Sequence, residues 1–258
     1  MATSTAAVQA LKPGIGPEEW KVRVDLAAAF RLGAMLGWDE LLFAHISARV
    51  PGEPTHYLVH GAALLFEEVT ASNLHKLDEN CEHVVSCDEV QHRFAFPFHK
   101  GVYDACPEAN CVVHLHTKAA TAVAGQEQGL VLNNQYAMWL GKVGYHNYEG
   151  FISTPEEGKR LAKAFEGTQV VIQKGHGLVL WGRSVHEAYM MAFLLNRACE
   201  VQIASQAGGL KPYVPPQEVT DIVPAQAGII TDGNAPFNLM TWAALLRKLD
   251  REQPEYKT

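Results

Sequence analysis

Two histidines alternate with apolar residues in the stretch Cys111-Val112-Val113-His114-Leu115-His116-Thr117. Its first half is rich in β-branched residues, which favour a β-strand. Successive side chains of a strand point to opposite faces, so His114 and His116 project to the same side about 7 Å apart. Two imidazoles at that spacing can converge on one metal ion, at ~2.0–2.1 Å from each nitrogen. The alternative is a half-exposed strand whose histidines bind nothing.

A third histidine stands between two glycines in the stretch Lys174-Gly175-His176-Gly177-Leu178-Val179. This stretch joins two short apolar segments, 170–173 and 178–181, which we predict to be strands. Glycines in a tight turn let the backbone bring an imidazole inward. A glycine-rich hairpin tip with an incidental histidine is the alternative. Both motifs together predict a metal site formed by His114, His116 and His176.

The remaining sequence predicts helices around this pair of motifs. Pro17 is placed to open a first helix, Thr117 to cap a helix of small residues, and Ser184 with Glu187 to form a capping box. We expect one α/β domain over residues 17–206, a disordered lead-in over 1–16 and a C-terminal arm over 207–258. Glycine and proline in 207–235 suggest an extended wrap before a last helix. Further elements are predicted at 42–49, 55–59, 74–80, 99–105, 154–165 and 237–251.

The composition of the chain limits the kinds of molecule that it is expected to bind. The chain has 258 residues, of which 48% are hydrophobic and 19% charged, and its net charge is −7. An acidic chain without a basic patch is a poor ligand for nucleic acid. No apolar stretch approaches the ~18 residues of a membrane span. The five cysteines form no CxxC pair, which favours a reducing cytoplasm over a disulfide framework. We therefore expect a cytoplasmic protein with a small-molecule partner.

The two histidine motifs resemble those of the class II aldolase/adducin N-terminal domain family. The similarity runs from about Trp20 to Ala204 and includes His45-Ile46-Ser47-Ala48-Arg49, which resembles the family's Asn-x-Ser-x-Arg strand. Trp38-Asp39-Glu40 is similar to the bacterial adducin-like branch. The resemblance implies a three-layer α/β/α fold with a central, largely antiparallel sheet of nine strands. It also implies a C4 homotetramer whose active sites lie between subunits.

The resemblance further implies one divalent metal ion, held by the three histidines, that polarises a carbonyl. Zinc is the first expectation, and manganese, cobalt and iron are alternatives. The sequence departs from the sugar-phosphate aldolases at Ala95, where they carry a glutamate acid/base. The stretches that carry phosphate-binding hydroxyls in those enzymes read His60-Gly61-Ala62-Ala63 and Arg93-Phe94 here. Of these residues only Gly61 and Arg93 could still bind a phosphate. A phosphorylated sugar is therefore not expected as substrate.

Residues for proton transfer and substrate binding must then lie elsewhere. Tyr136 is near the position of a family tyrosine that acts on the adjacent subunit, and His60 and His92 are further acid/base candidates. Core packing is the alternative for Tyr136, and a surface loop is the alternative for each histidine. We expect His45, Arg93 and Phe96 to contact the substrate. Phe94, Phe96 and Phe98 would line the pocket if they alternate on an extended segment, or pack in the core if they do not. His146 and Glu149 are weaker candidates.

Three functions remain open from the sequence. The first is a metal-dependent lyase that performs retro-aldol cleavage or decarboxylation on a small carboxylated or carbonyl compound without phosphate. The second is a non-haem iron oxygenase that cleaves an aromatic hydroxy acid. The third is a non-catalytic, adducin-like interaction module, for which three converging histidines would have no physical use.

Overall fold

The computed structural model describes residues 14–85, 96–150, 155–209 and 211–258. Within them, seven strands form one sheet in the order β3-β2-β1-β4-β7-β6-β5. All neighbours are antiparallel except β5 and β6, which are parallel. The expected largely antiparallel sheet is confirmed, with seven strands in these residues where the family resemblance implied nine. The strands are β1 (His45–Val50), β2 (Glu53–Val59), β3 (His75–Leu77), β4 (Cys111–Leu115), β5 (Gly144–His146), β6 (Val170–Gln173) and β7 (Gly177–Gly182).

Helices cover both faces of the sheet. On one face the core joins α1, α3, α4, α6 and α9 to apolar side chains of the central strands, and on the other face it joins α2 and α5. This is the expected three-layer α/β/α arrangement. The helices are α1 (Pro17–Met35), α2 (Phe96–Ala105), α3 (Lys118–Ala124), α4 (Gln135–Leu140), α5 (Pro155–Ala164), α6 (Val185–Gln206), α7 (Gln217–Gln226), α8 (Gly228–Thr231) and α9 (Pro236–Glu252). In the described parts of the chain, no helix is long and apolar enough to cross a bilayer.

Strand β4 lies at the centre of the sheet, and its side-chain alternation decides where the histidines point. Val113 and Leu115 belong to the core under α1 and α6, whereas Val112 belongs to the core under α2. His114 therefore lies on the α2 side, because it shares the parity of Val112. The register pairs His114 with His45 of β1 and with Val179 of β7.

The helix starts predicted at Pro17, Thr117 and Ser184 are confirmed, whereas the helices predicted over 99–105 and 237–251 begin earlier, at Phe96 and Pro236. The Oγ1 atom of Thr117 accepts a hydrogen bond from the Ala120 amide at 3.3 Å, and Ser184 Oγ accepts one from the Glu187 amide at 3.2 Å. Each bond satisfies one of the amides that lack a partner in the first turn of a helix. The capping box expected at Thr154 lies outside the described residues, as does the lead-in up to residue 13.

The prediction of an extended wrap over 207–235 is wrong. Residues 217–226 and 228–231 are helical, and Pro224 is accommodated inside α7. The C-terminal residues also pack on their own domain: Tyr256 is fully buried, and its carbonyl accepts a hydrogen bond from the Ala71 amide at 2.9 Å. Glycine and proline content over 207–235 is the basis of that prediction, but within 217–226 only Pro224 is of either type, and the glycines and the other prolines lie outside this helix.

Candidate metal centre

Three imidazole nitrogens converge at one end of β4. The Nε2 atom of His116 lies 2.8 Å from Nε2 of His114 and 2.8 Å from Nε2 of His176. The potential ligand atoms of the three residues all lie within 4.8 Å of one another. The structure thus brings together the three residues that the sequence singled out as metal ligands.

The hydrogen bonds behind the rings leave Nε2 free to act as a ligand. The Nδ1 atom of His114 donates to the carbonyl oxygen of Leu178 at 2.9 Å, since a carbonyl can only accept. The Nδ1 atom of His116 lies 2.9 Å from a carboxylate oxygen of Glu40, which also accepts. A neutral imidazole that donates through Nδ1 carries a lone pair on Nε2. Lone pairs that point at one another repel unless a cation lies between them, so this donor set fits a divalent metal.

Burial keeps His114 and His176 neutral. It holds the pKa of His114 well below its usual range, and the neighbouring histidines His116, His176 and His99 add to the effect. Burial, together with His116, lowers the pKa of His176 to about 4. Neutral imidazole is the form that binds a metal, so protons do not compete for these two nitrogens near neutral pH.

The glycines around His176 have separate roles. Gly175 has a φ of +71°, a conformation that L side chains rarely adopt, and it turns the chain between β6 and β7. Gly177 has no such φ but lies against β4. A Cβ atom there would lie 2.5 Å from the carbonyl oxygen of Leu115 and 2.8 Å from Cδ2 of His116. The close approach of the two strands that carry the ligands therefore requires glycine at 177.

A chain of hydrogen bonds runs from His45, which lies beside the three histidines, to Tyr103 in the core on the α2 side of the sheet. The ring of His45 lies 4.9 Å from that of His114, centroid to centroid, and its Nδ1 is 2.7 Å from Nε2 of His99 on α2. The Nδ1 atom of His99 is 2.6 Å from Ser47 Oγ, which is 2.9 Å from the Tyr103 hydroxyl. Burial holds the pKa of Tyr103 well above its usual range, so this end of the chain stays protonated. A proton could move along such a chain between the centre and the core.

A cavity of about 550 Å³ opens in front of the three histidines and is lined by two of them, His116 and His176. Tyr148 forms one wall, with its ring 5.5 Å from that of His176 in an edge-to-face arrangement. The other lining residues are mostly polar, and they come from the segment after α1, from the start of α3 and from the Gly175 turn. The cavity is large enough for a small organic molecule beside the three histidines.

The other predicted site residues lie in different places. His60 is buried in the core with its ring 4.5 Å from Phe30, and the surface loop considered as its alternative is wrong. Phe96 begins α2 instead of lying on an extended segment, and it is buried with its ring 5.1 Å from Tyr57. His92 and Arg93 lie outside the described residues, as does Phe94.

Tyr136 lies on α4, away from the histidines of its own chain. It lines a separate apolar cavity of about 400 Å³ between α1, α4, α6 and α9, and its ring is 5.5 Å from Trp139. His146 is buried beside Glu157, with 3.5 Å between Nε2 and the carboxylate, and Glu149 pairs with Arg160 at the surface. None of these three residues lines the cavity in front of the metal centre.

Sequence reasoning missed two parts of the centre. The sequence identifies Glu40 only as part of a family-like tripeptide, and it assigns no role in the site to His99. A carboxylate behind a metal-bound imidazole is a common arrangement. The signal that could have suggested Glu40 is the acidic pair Asp39-Glu40 at the end of the first helix, although its partner cannot be read from spacing.

Comparisons with known proteins agree with this geometry. Residues 24–203 match the family described as Class II Aldolase and Adducin N-terminal domain. The chain is 37% identical, over 94% of each chain, to a Pseudomonas aeruginosa protein whose name assigns it provisionally to the class 2 aldolases. It is 38% identical to alpha-adducin of Rattus norvegicus, over 73% of this chain and 26% of that one.

Two solved structures superpose on nearly the whole chain. An aldolase II superfamily protein from Pseudomonas syringae has a TM-score of 0.90 at 37% identity, and covers 95% of this chain and 98% of its own. L-fuculose 1-phosphate aldolase from Glaciozyma antarctica has a TM-score of 0.81 at 21% identity, with 96% and 97% covered. At that identity the second comparison establishes the fold alone.

Proposed function

The chain belongs to the class II aldolase and adducin N-terminal domain family, and from that membership we propose that it is a metal-dependent carbon–carbon lyase. Its substrate would be a small carboxylated or carbonyl compound without phosphate, cleaved by a retro-aldol reaction or by decarboxylation. The observation that carries the proposal is the convergence of three Nε2 atoms on one point beside an open cavity.

The residues of the site have distinct tasks in this proposal. His114, His116 and His176 would hold one divalent ion, with zinc expected first. The bound ion would act as a Lewis acid on a carbonyl oxygen and so accept electrons from the breaking bond. Leu178 and Glu40 hold two of the rings in the orientation that presents Nε2. Tyr148 lies against the His176 ring on the cavity side.

His45 and His99 are the best-placed groups in the described residues for moving a proton. His99 is the helix histidine that lies four residues after Ala95, and it is hydrogen-bonded to His45 beside the metal ligands. Histidine accepts and donates protons near neutral pH. His45 and His99 could therefore take the acid/base role of the glutamate that the family aldolases carry at the position of Ala95. In this scheme a proton taken up at His45 Nε2 would be balanced by release from Nδ1 toward His99.

Tyr136 can contribute only from a neighbouring subunit, because it faces a different cavity from the histidines of its own chain. We therefore retain a homotetramer with sites between subunits as part of the proposal. Its support is the family resemblance, since the C-terminal residues pack on their own domain and give no separate argument for assembly.

The absence of phosphate from the substrate is supported by the loop after β2. His60-Gly61-Ala62-Ala63 offers no hydroxyl, and His60 itself is buried against Phe30 and Phe66. A phosphate that leaves water without donors around it binds poorly. We expect no useful turnover of L-fuculose 1-phosphate.

A non-haem iron oxygenase is the second candidate. Three imidazoles with open coordination positions can hold Fe(II), and the three histidines have no feature that selects zinc over iron. An adducin-like interaction module is the third, and its support is the 38% identity to alpha-adducin. The converging lone pairs count against it, because a scaffold has no need for them.

Metal analysis and anaerobic turnover test the proposal. Protein purified without chelator should contain about one divalent ion per chain, and His114→Ala, His116→Ala and His176→Ala should each lose it. Apo protein is then reloaded with zinc, manganese or iron and incubated without oxygen with a panel of hydroxy and oxo acids. Product detected by NMR in the zinc form supports the lyase. Activity confined to iron, with stoichiometric oxygen uptake, would favour the oxygenase.

A further inference from the structure

The cavity in front of the metal centre contains one cationic side chain, that of Lys118, among its lining residues. Lys118 is the first residue of α3 and follows the ligand His116 by two positions. Thr121, one turn later on the same helix, also lines the cavity. Residues three apart on a helix are neighbours on its surface. The Lys118 ammonium is exposed at the cavity, and rotation of the Thr121 side chain, whose Oγ1 is buried in this structure, would bring its hydroxyl to the same small group.

Neither group is engaged within the described residues. Lys118 forms no ion pair with any described carboxylate, although Asp39 and Glu40 line the same cavity, and Glu40 is bonded to His116. The Oγ1 atom of Thr121 is buried and has no hydrogen-bond partner among the described residues. A buried hydroxyl without a partner costs free energy, so a ligand that supplies an acceptor would be favoured there.

The chemistry of Lys118 and Thr121 favours one kind of acceptor group on the ligand. One ammonium and one hydroxyl match the two oxygens of a carboxylate, which accepts from both. A phosphate dianion would need further donors, and Asp39 and Glu40, which also line the cavity, would repel it about twice as strongly as a singly charged carboxylate. A neutral group would leave the ammonium unused.

We propose that Lys118 and Thr121 bind a carboxylate of the substrate while its carbonyl faces His114, His116 and His176. This rests on the proposed function and narrows it: the substrate is a small acid whose carboxylate is separated from the metal-bound group by a short carbon chain.

Binding of hydroxamates to the zinc-loaded protein tests this without any turnover. Three probes share the same metal-binding group: butanohydroxamic acid ends in a methyl group, succinic monohydroxamic acid in a carboxylate, and 3-phosphonopropanohydroxamic acid in a phosphonate. Affinities are measured by isothermal titration calorimetry for the wild type, Lys118→Met and Thr121→Val. Lys159→Met is the control, because Lys159 is an exposed lysine on α5, on the other side of the sheet.

The wild type and Lys159→Met should bind the carboxylate probe about fivefold more tightly than the methyl probe, a modest factor because Lys118 is exposed. Lys118→Met should lose this preference with unchanged affinity for the methyl probe, and Thr121→Val should lose part of it. A preference that persists in Lys118→Met, or a stronger preference for the phosphonate, overturns the proposal. If the protein holds zinc but binds none of the probes, the carboxylate proposal fails while the metal assignment stands. If it holds no zinc, the proposed function itself fails.

Discussion

Glu40 accepts a hydrogen bond from Nδ1 of His116 at 2.9 Å, across 76 positions of the chain. The bond joins the segment after α1 to the residue that follows β4, and it turns Nε2 of His116 toward the other two ligands. A carboxylate in this position would also raise the basicity of His116 toward a metal ion. The segment before β1 therefore takes part in the centre although it supplies no ligand.

Replacement of Glu40 should weaken metal binding without removing a ligand. We expect Glu40→Ala to lower zinc affinity about 10–100-fold, and Glu40→Gln to lower it less because an amide oxygen can still accept. Competition with a chromogenic chelator measures the affinity. Glu67→Gln is the control, an exposed glutamate without an ion pair among the described residues. Equal zinc affinity in Glu40→Ala and the control would show that the carboxylate does not tune the centre.

Gly177→Ala should disturb the centre through packing alone. Its Cβ would overlap the Leu115 carbonyl and the His116 ring, so β7 or His116 must shift. We expect a loss of zinc affinity of about tenfold or more, since small displacements of a ligand ring are costly. Gly158→Ala on α5 is the control, because nothing lies within 4 Å of an added Cβ there, and alanine favours the helix. Zinc titration and thermal melting are run on both, and wild-type affinity in Gly177→Ala would contradict the prediction.

The apo protein should lose stability as the pH falls below about 6.5. His176 has a pKa of about 4 in the folded chain, whereas the unfolded chain takes up a proton near 6.5. Between these values the unfolded state binds more protons, so the free energy of unfolding decreases with decreasing pH. The ring is partly exposed, and solvent screening limits the effect to about 1–2 kcal/mol.

Urea unfolding of the apo protein between pH 7 and pH 4.5 measures this loss. His176→Asn cannot titrate and should show a shallower decline over the same window. Parallel curves for the two proteins would assign the acid sensitivity to other groups.

Asp25→Asn should stabilise the protein at neutral pH. Burial raises the pKa of Asp25 although Trp242 Nε1 donates to its carboxylate at 2.9 Å. The stability contributed by a carboxyl with a raised folded pKa is present below pH 3.8 and is lost as the pH rises through the folded value. Asparagine keeps an acceptor for Trp242 and carries no charge, so we expect a Tm higher by a few degrees at pH 7 and little change at pH 3.5. A lower Tm at pH 7 would show that the charge itself is needed between α1 and α9.

The sequence was sufficient to single out His114, His116 and His176 as candidate metal ligands because the evidence for each of them is local. Period-two alternation places His114 and His116 on one face of a strand whatever the strand pairs with. The flanking glycines mark His176 as a residue held in a tight turn, and the structure joins both motifs through adjacent strands β4 and β7. The helix caps at Thr117 and Ser184 were equally local, since each involves an amide three residues away.

Contacts between distant segments were decided by the tertiary structure alone. The register that sets His45 beside His114, the bond from Glu40 to His116 and the docking of His99 on Ser47 all join residues from different elements. Residues 217–226 are helical although Pro224 lies among them, and Thr220 is the only buried residue of this helix. The periodicity of the sequence predicts which face of its own strand or helix a side chain lies on. Which elements meet depends on the summed burial of many side chains, and that sum exists only in the folded chain.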